Sequence, residues 1–310
     1  MKEIAEEGNL NNGLGIGLVL IVWLVLSLNY FFHTPWDIRS HDTWTHIEYT
    51  EFVAEKHRLP IYPEIFQAVQ PPLYYLINSF CPHASAPPGS DQKLKHINFI
   101  RLLSVFYGAI SLLLIFWFLN EATNNHLSKL LVLIFIATTP KFIYMFTTYN
   151  NDSLATLLCI GTVVISYKLY LKWRWTLATL LLLFSIGALY TKYSSMICIG
   201  SIFMVLLIKM FLIKNVQGHY LKIITTLFFS VILLLPWTIL HNYNHTHKYC
   251  PSMFGDTLSF FNKDRYKNIL GYVLRISKLQ EKKPDYTHEW DDPFVHPSWD
   301  YINPATKLLQ

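Results

Sequence analysis

Residues 14–32 read LGIGLVLIVWLVLSLNYFF, a stretch without a single charge. A helix needs about 20 such residues to cross a hydrocarbon core ~30 Å thick. The run is too long and uniform for the apolar region of a cleaved signal peptide. Further apolar runs follow at 97–119, 130–147, 154–171, 177–190, 194–213 and 223–240. The sequence therefore predicts an all-α, polytopic transmembrane protein of about seven spans. The run at 177–190 is short, and 130–147 is interrupted by Pro140 and Lys141. The backbone groups that such a proline frees must be satisfied by adjacent helices.

The composition of the 310-residue chain agrees. Hydrophobic residues make up 52 %, aromatics 16 % and charged residues 15 %, against roughly 25 % charged in a soluble domain. Mean hydropathy is +0.29. A disordered chain, a collagen-like repeat and a disulfide-stapled miniprotein are excluded. Too few polar groups remain to cover a soluble two-domain enzyme. The net charge of +5 is dispersed around the apolar runs rather than gathered into a stripe, which speaks against nucleic acid as a partner.

Orientation follows from Lys and Arg in short loops. Lys168, Lys172 and Arg174 crowd one loop, and Lys209, Lys214 and Lys222 another. Both are expected on the cytoplasmic side, which places the N-terminus inside. The loop 33–96, the turns near 147–153 and 191–193, and the polar tail 241–310 then share the outer face. In the first outer loop, HDTWTHIEYTEFVAEKHRLP interleaves Trp44, Ile47, Phe52 and Leu59 with charges, which predicts an amphipathic helix in the membrane interface. QPPLYYLINSF is too short to span and predicts a second interfacial helix.

Charge near a membrane is costly unless paired or functional. Asp42, Asp152, Lys192 and the segment Gln70-Pro71-Pro72-Leu73-Tyr74-Tyr75 all fall on the predicted outer face. One carboxylate can act as general base, a second can orient a substrate, and a lysine can neutralise a departing phosphate. Each has a structural reading beside the chemical one. Asp152, with Asn150 and Asn151, suits a helix N-cap, and Asp42 can cap the interfacial helix. Lys192 can snorkel to headgroups, and the prolines can simply start a helix.

His41 and His46 flank Asp42, with Glu48 and Glu64 in the same loop, so a divalent cation site is conceivable there. His241, His245 and His247 form a second cluster. Neither has a zinc-signature spacing, and solvated histidines are the alternative. Cys159 and Cys198 read as small apolar residues, whereas Cys81 and Cys250 lie in polar stretches where a disulfide is conceivable in an oxidising compartment. Asn244-His245-Thr246 and Asn151-Asp152-Ser153 match the glycosylation sequon, the latter too close to the bilayer for use.

Taken together, Asp42 in a long first outer loop, Pro71-Pro72-Leu73-Tyr74-Tyr75 after it, Asp152 at the head of a later span and the Thr191-Lys192 turn resemble the GT-C superfamily of membrane glycosyltransferases. The protein-mannosyltransferase and aminoarabinose-transferase branch is the most similar. The resemblance covers about residues 14–243 and divides the chain into a transmembrane domain, 1–240, and an extracytoplasmic tail, 241–310.

It implies inverting sugar transfer from a polyprenyl-phosphate donor to a lipid, glycan or protein acceptor. Asp42 would be the base and Asp152 the orienting carboxylate, with Lys192, Gln70, Tyr74 and His46 binding substrate. A bacterial inner membrane is the expected location, ahead of the endoplasmic reticulum. Gln70 departs from relatives that carry Lys or His there, and Asp42-Thr43 from those with Asp-Glu. Relatives are usually longer, which implies a C-terminally shortened member.

In the tail, Trp290, Trp299, Asp291, Asp292 and Asp300 suit either a sugar site or a loose connecting loop. A transporter is the alternative of a different class, and it predicts paired broken helices in internal repeats. An inactive relative retained as a binding protein is the third.

Overall fold

The computed structural model describes residues 2–37, 42–61, 64–212, 218–237 and 241. Among these, every regular element is helical. The elements are α1 (Lys2–His33), α2 (Thr43–Lys56), a 3₁₀ turn (Phe66–Val69), α3 (Leu73–Ser79), α4 (Asp91–Ala122), α5 (His126–Thr138) and α6 (Pro140–Met145). They continue with α7 (Asp152–Leu171), α8 (Trp175–Thr191), α9 (Ser195–Leu212) and α10 (His219–Ile232). Of the tail, His241 alone is described. Its remaining candidates (Asn244, His245, His247, Cys250 and the Trp and Asp residues near the end) lie outside the described residues, as does His41.

Among the described residues, three helices are long and apolar enough to cross a membrane: Gly13–His33 within α1, then α4 and α7. The remaining apolar runs form the shorter helices α5, α8, α9 and α10. Their outward faces, like that of α4, carry large apolar side chains, Phe106, Phe135 and Ile197 among them. A soluble protein rarely tolerates so much contiguous apolar surface, and lipid is the solvent that suits it. The chain is a membrane protein.

The break expected at Pro140 falls between α5 and α6. Proline lacks an N–H and disfavours helical geometry in the residue before it, and Thr139 is extended at φ −64°, ψ 121°. The carbonyl of Ile136, which residue 140 would have bonded, accepts instead from the Thr139 N–H at 3.2 Å. The hydroxyls of Thr138 and Thr139 donate to the Ile134 and Phe135 carbonyls at 2.7 Å each. The freed groups are thus satisfied by the local turn, whereas the sequence reading assigned that task to neighbouring helices.

Three apolar cores hold the helices together. Trp23, Leu112, Leu133 and Phe146 join α1, α4, α5 and the end of α6. Leu169, Leu181, Leu206, Ile223 and Leu227 join α7 to α10. Between them, Ile47, Tyr49, Tyr74, Tyr75, Ile97, Ile100 and Tyr149 pack α2 and α3 onto α4 and the turn before α7. The α2 helix differs from its sequence reading. Its buried residues are Thr43, His46, Ile47, Tyr49, Thr50 and Val53, while Trp44 and Phe52 stay partly exposed. A polar face goes inward because hydrogen-bonding partners await it there.

Polar side chains pin opposite ends of the helices. Near one end the guanidinium of Arg101, on α4, donates to the carbonyls of Phe31 (3.2 Å), Thr34 (3.0 Å) and Thr147 (2.9 Å). Near the other, Lys168 on α7 pairs with Glu121 on α4 at 2.5 Å, and Lys129 donates to Asn120 at 2.8 Å.

Arg101→Gln should lower the thermal unfolding midpoint in detergent. Each buried carbonyl left without a donor costs about 1–3 kcal/mol. Arg101→Lys should recover part of the loss by keeping the charge with fewer donors. Gly108→Ala drives a methyl into Trp23 and Phe146, both fully buried, and should cost about 1–3 kcal/mol of overpacking. Gly161→Ala meets only Phe184, a partly buried ring that can rotate, and should cost less in the same assay.

Candidate functional site

The N-terminus of α2, the α3 helix, the turn 147–151 before α7 and the C-terminus of α8 meet at the Arg101 end. Each is placed by backbone chemistry. Gln70, Pro71 and Pro72 follow the 3₁₀ turn, and Pro72 caps α3, where a missing N–H is harmless. The turn before α7 is built by Asn150, whose side-chain oxygen accepts from the Ser153 N–H at 3.2 Å. Asn151 donates to the Thr191 carbonyl at 3.3 Å and so fastens the last turn of α8 to the first of α7.

That fastening brings Lys192 to Asp152. The ammonium and carboxylate pair at 2.5 Å, with side chains 23 % and 44 % exposed. Asn150 takes the capping bond, so Asp152 is free to engage Lys192 in the first turn of α7. Asp42 stands at the N-cap position of α2, yet its side chain makes no capping bond and is exposed. Two carboxylates therefore sit in different electrostatic states, one paired with a cation and one facing solvent.

Between them lies a ring stack that the sequence reading did not anticipate. His46 Nδ1 is 2.8 Å from the Tyr75 hydroxyl, and the two rings stack at 5.7 Å. Tyr49 stacks on the other side of the network, 3.7 Å from Tyr75. Tyr74 meets Tyr75 and Tyr149 edge-on at 5.5 and 6.0 Å. Tyr149 donates to Thr50 at 2.9 Å, and Thr43 donates to the Tyr149 carbonyl at 3.5 Å. The pattern was present at 43, 46, 50 and 53, the i, i+3, i+4 spacing of one helix face. Its first three positions are Thr, His and Thr, which an apolar-periodicity reading passes over.

Electrostatics tie these groups to the carboxylates. Burial pushes the Tyr75 phenol well above its ordinary range, with Tyr49, Tyr149, Asp42 and Asp152 adding to it in that order. Both aspartates thus act on one hydroxyl from separate elements. Burial also holds the His46 imidazole down at about 3, helped by the positive charge of Lys192 and opposed by Asp152. His46 and Tyr75 are therefore both neutral near pH 7.

The other sequence candidates divide. Tyr74 is buried within the aromatic core, and Gln70 is buried with its side-chain oxygen lacking a partner among the described residues. Glu64 is engaged by Arg58 through bonds of 3.0 and 2.7 Å, and Glu48 is exposed. Among the described residues no three His, Cys, Asp or Glu side chains converge as a cation site. Of the proposed donors, His46, Glu48 and Glu64 do not come together, and His41 lies outside the described residues. His241 instead serves packing: its Nε2 lies 3.0 Å from the Pro60 carbonyl, and its ring stacks on Trp237 at 4.1 Å.

No protein-family model matches the chain, and no curated protein is significantly similar to it.

The depressed His46 carries a signed consequence. Its unfolded pKa is 6.5 and its folded value about 3, so below 6.5 the unfolded chain binds a proton that the folded chain refuses. Stability should fall as pH drops from about 6.5 toward 3. His46→Asn should flatten that slope by close to one proton in thermal unfolding measured between pH 7 and pH 4.

Proposed function

We propose that the chain is a polytopic glycosyltransferase of the GT-C type, crossing the membrane seven times with its N-terminus cytoplasmic. It transfers a sugar from a polyprenyl-phosphate donor to an acceptor on the opposite face. The observation that carries this reading is the meeting of the helix starts that bear Asp42 and Asp152, where Thr43 donates to the Tyr149 carbonyl at 3.5 Å and both carboxylates act on the buried Tyr75 phenol. The sequence order of Asp42, Pro71-Pro72-Leu73, Asp152 and Thr191-Lys192 supports it further.

In this reading Asp42 takes the proton from an acceptor hydroxyl or amine as that atom attacks the anomeric carbon. The bond from that carbon to the phosphate oxygen breaks, its electron pair leaves with the polyprenyl phosphate, and the configuration inverts. Asp42 suits the role because its carboxylate is neither spent on capping nor, among the described residues, paired with a cation. Asp152 holds Lys192 at the first turn of α7, partly exposed, where the ammonium can turn toward a phosphate. Gln70 offers no charge for that task, which leaves the lysine to supply it. His46 and Tyr75, hydrogen-bonded to each other, are the neutral buried groups on which the carboxylates act.

Purified full-length protein, supplied with polyprenyl-phosphate sugars and candidate acceptors with and without magnesium or manganese, tests the reading. Asp42→Asn should lower turnover by about 10²–10⁴-fold, the usual worth of a positioned base. Equal turnover in both proteins would remove Asp42 from the mechanism. Absence of product with every donor would favour an inactive relative, and solute accumulation in sealed vesicles without product would favour a transporter. Asp152→Asn strips Lys192 of its partner and should raise the donor KM more than it lowers kcat, read from initial rates against donor concentration.

A further inference from the structure

At the end of the molecule away from Asp42, α8 and α10 run side by side and leave a groove of about 460 Å³ between them. Leu182 of α8 and Leu221 and Phe229 of α10 line it from either side, with Thr179, Thr225 and Thr226 between. Its mouth holds Trp173, Trp175 and Lys222. Neither helix contains an Asp or Glu, and among the described residues no carboxylate lines the groove. Lys222 sits over the Trp173 ring at 5.3 Å and has no carboxylate partner among them either. His219 stacks on the same ring from 6.3 Å. The Trp173 Nε1 and His219 Nδ1 atoms are both buried without a hydrogen-bond partner among the described residues.

We propose that this groove binds an anionic phospholipid, with its phosphate at Lys222 and the paired tryptophans and its acyl chains along Leu182 and Phe229. Lys222 and the tryptophans stand at the helix starts, and Leu182 and Phe229 lie about two turns further along α8 and α10, the order of headgroup and tail in a phospholipid. Indole rings favour the headgroup level, where one edge is apolar and the N–H needs an acceptor. A phosphodiester at the mouth supplies the counter-charge for Lys222, beside the exposed Trp175 indole. The helices add to this, because α8 and α10 both begin at the mouth with no side chain capping their first N–H groups. Arg174 and Lys172, both exposed, extend the positive field beside it. A zwitterionic lipid carries its own cation and gains less from such a field. The site is separate from the aspartate cluster and does not depend on the sugar-transfer reading.

Fluorescence quenching by brominated lipid tests the proposal on the full chain reconstituted in phosphatidylcholine bilayers. The bromine is placed either on a minor fraction of phosphatidylglycerol or on an equal fraction of phosphatidylcholine. Tryptophans facing bulk lipid are quenched equally by both. Occupancy of the groove predicts stronger quenching by the phosphatidylglycerol, by about fivefold at the site, the preference that one interfacial lysine supplies. Lys222→Gln should abolish the excess, and Trp175→Phe should remove much of the quenched signal. Trp175 is 75 % exposed, so its replacement leaves the helix packing intact. Equal quenching by the two lipids would overturn the proposal, and so would an excess that survives Lys222→Gln. Loss of the excess on adding millimolar inorganic phosphate would assign the site to a small free anion and overturn it as well. Loss of quenching by both lipids would mean that protein covers the groove, and the lipid proposal would fall with it.

Discussion

The guanidinium of Arg101 lies inside the helical body without a carboxylate beside it among the described residues, and it is held there by carbonyls. The last turn of any helix leaves carbonyl groups without partners, and their combined dipole favours a cation. Arg101 answers this at the end of α1 through Phe31 and Thr34, and its charge also rests on the Phe31 ring at 4.4 Å. Its remaining bond, to the Thr147 carbonyl, catches the turn that leads into α7. One side chain therefore ties the end of α1 to the turn that precedes α7. Asp152 opens α7, so its position descends from that anchor.

The same accounting explains why α2 turns a polar face inward. His46, Thr43 and Thr50 would each be expensive to bury alone. Each instead meets a group from the tyrosine cluster: Tyr75, the Tyr149 carbonyl and the Tyr149 hydroxyl. Large aromatic rings supply the apolar area, and their hydroxyls supply the polar partners. The result is a buried neutral cluster whose Tyr75 feels both aspartates. Neutrality matters here, since a protonated His46 would stand close to Lys192 in a poorly solvated place. Burial and Lys192 both act to keep the proton off.

The two ends of the molecule differ in how they handle charge. At the Asp42 end, Arg101 is matched by carbonyls and Lys192 by Asp152, while Asp42 itself faces outward. At the opposite end Lys168 is matched by Glu121, but Lys222 rests on an aromatic ring. This polarity is what a protein needs when its faces meet different solvents and solutes.

Much of the architecture was legible in the chain itself. Apolar length decides membrane helices locally, because each span must bury its own backbone hydrogen bonds, and the break at Pro140 follows from a single missing N–H. The short helix after Gln70 was legible for the same reason. The candidate aspartates could be named from their places at helix ends. What the sequence could not supply was company. Whether Asp152 caps a helix or pairs with Lys192 turns on Asn150 taking the capping bond and Asn151 reaching Thr191, and the second of these forms only once α7 and α8 pack. The inward face of α2 was hidden because Thr and His enter a core only where partners from other elements meet them. Arg101 was hidden because nothing in its own segment reveals two distant sets of carbonyls converging on it. Local hydrogen bonding is written along the chain, whereas the pairing of buried polar groups is a property of the packed helices.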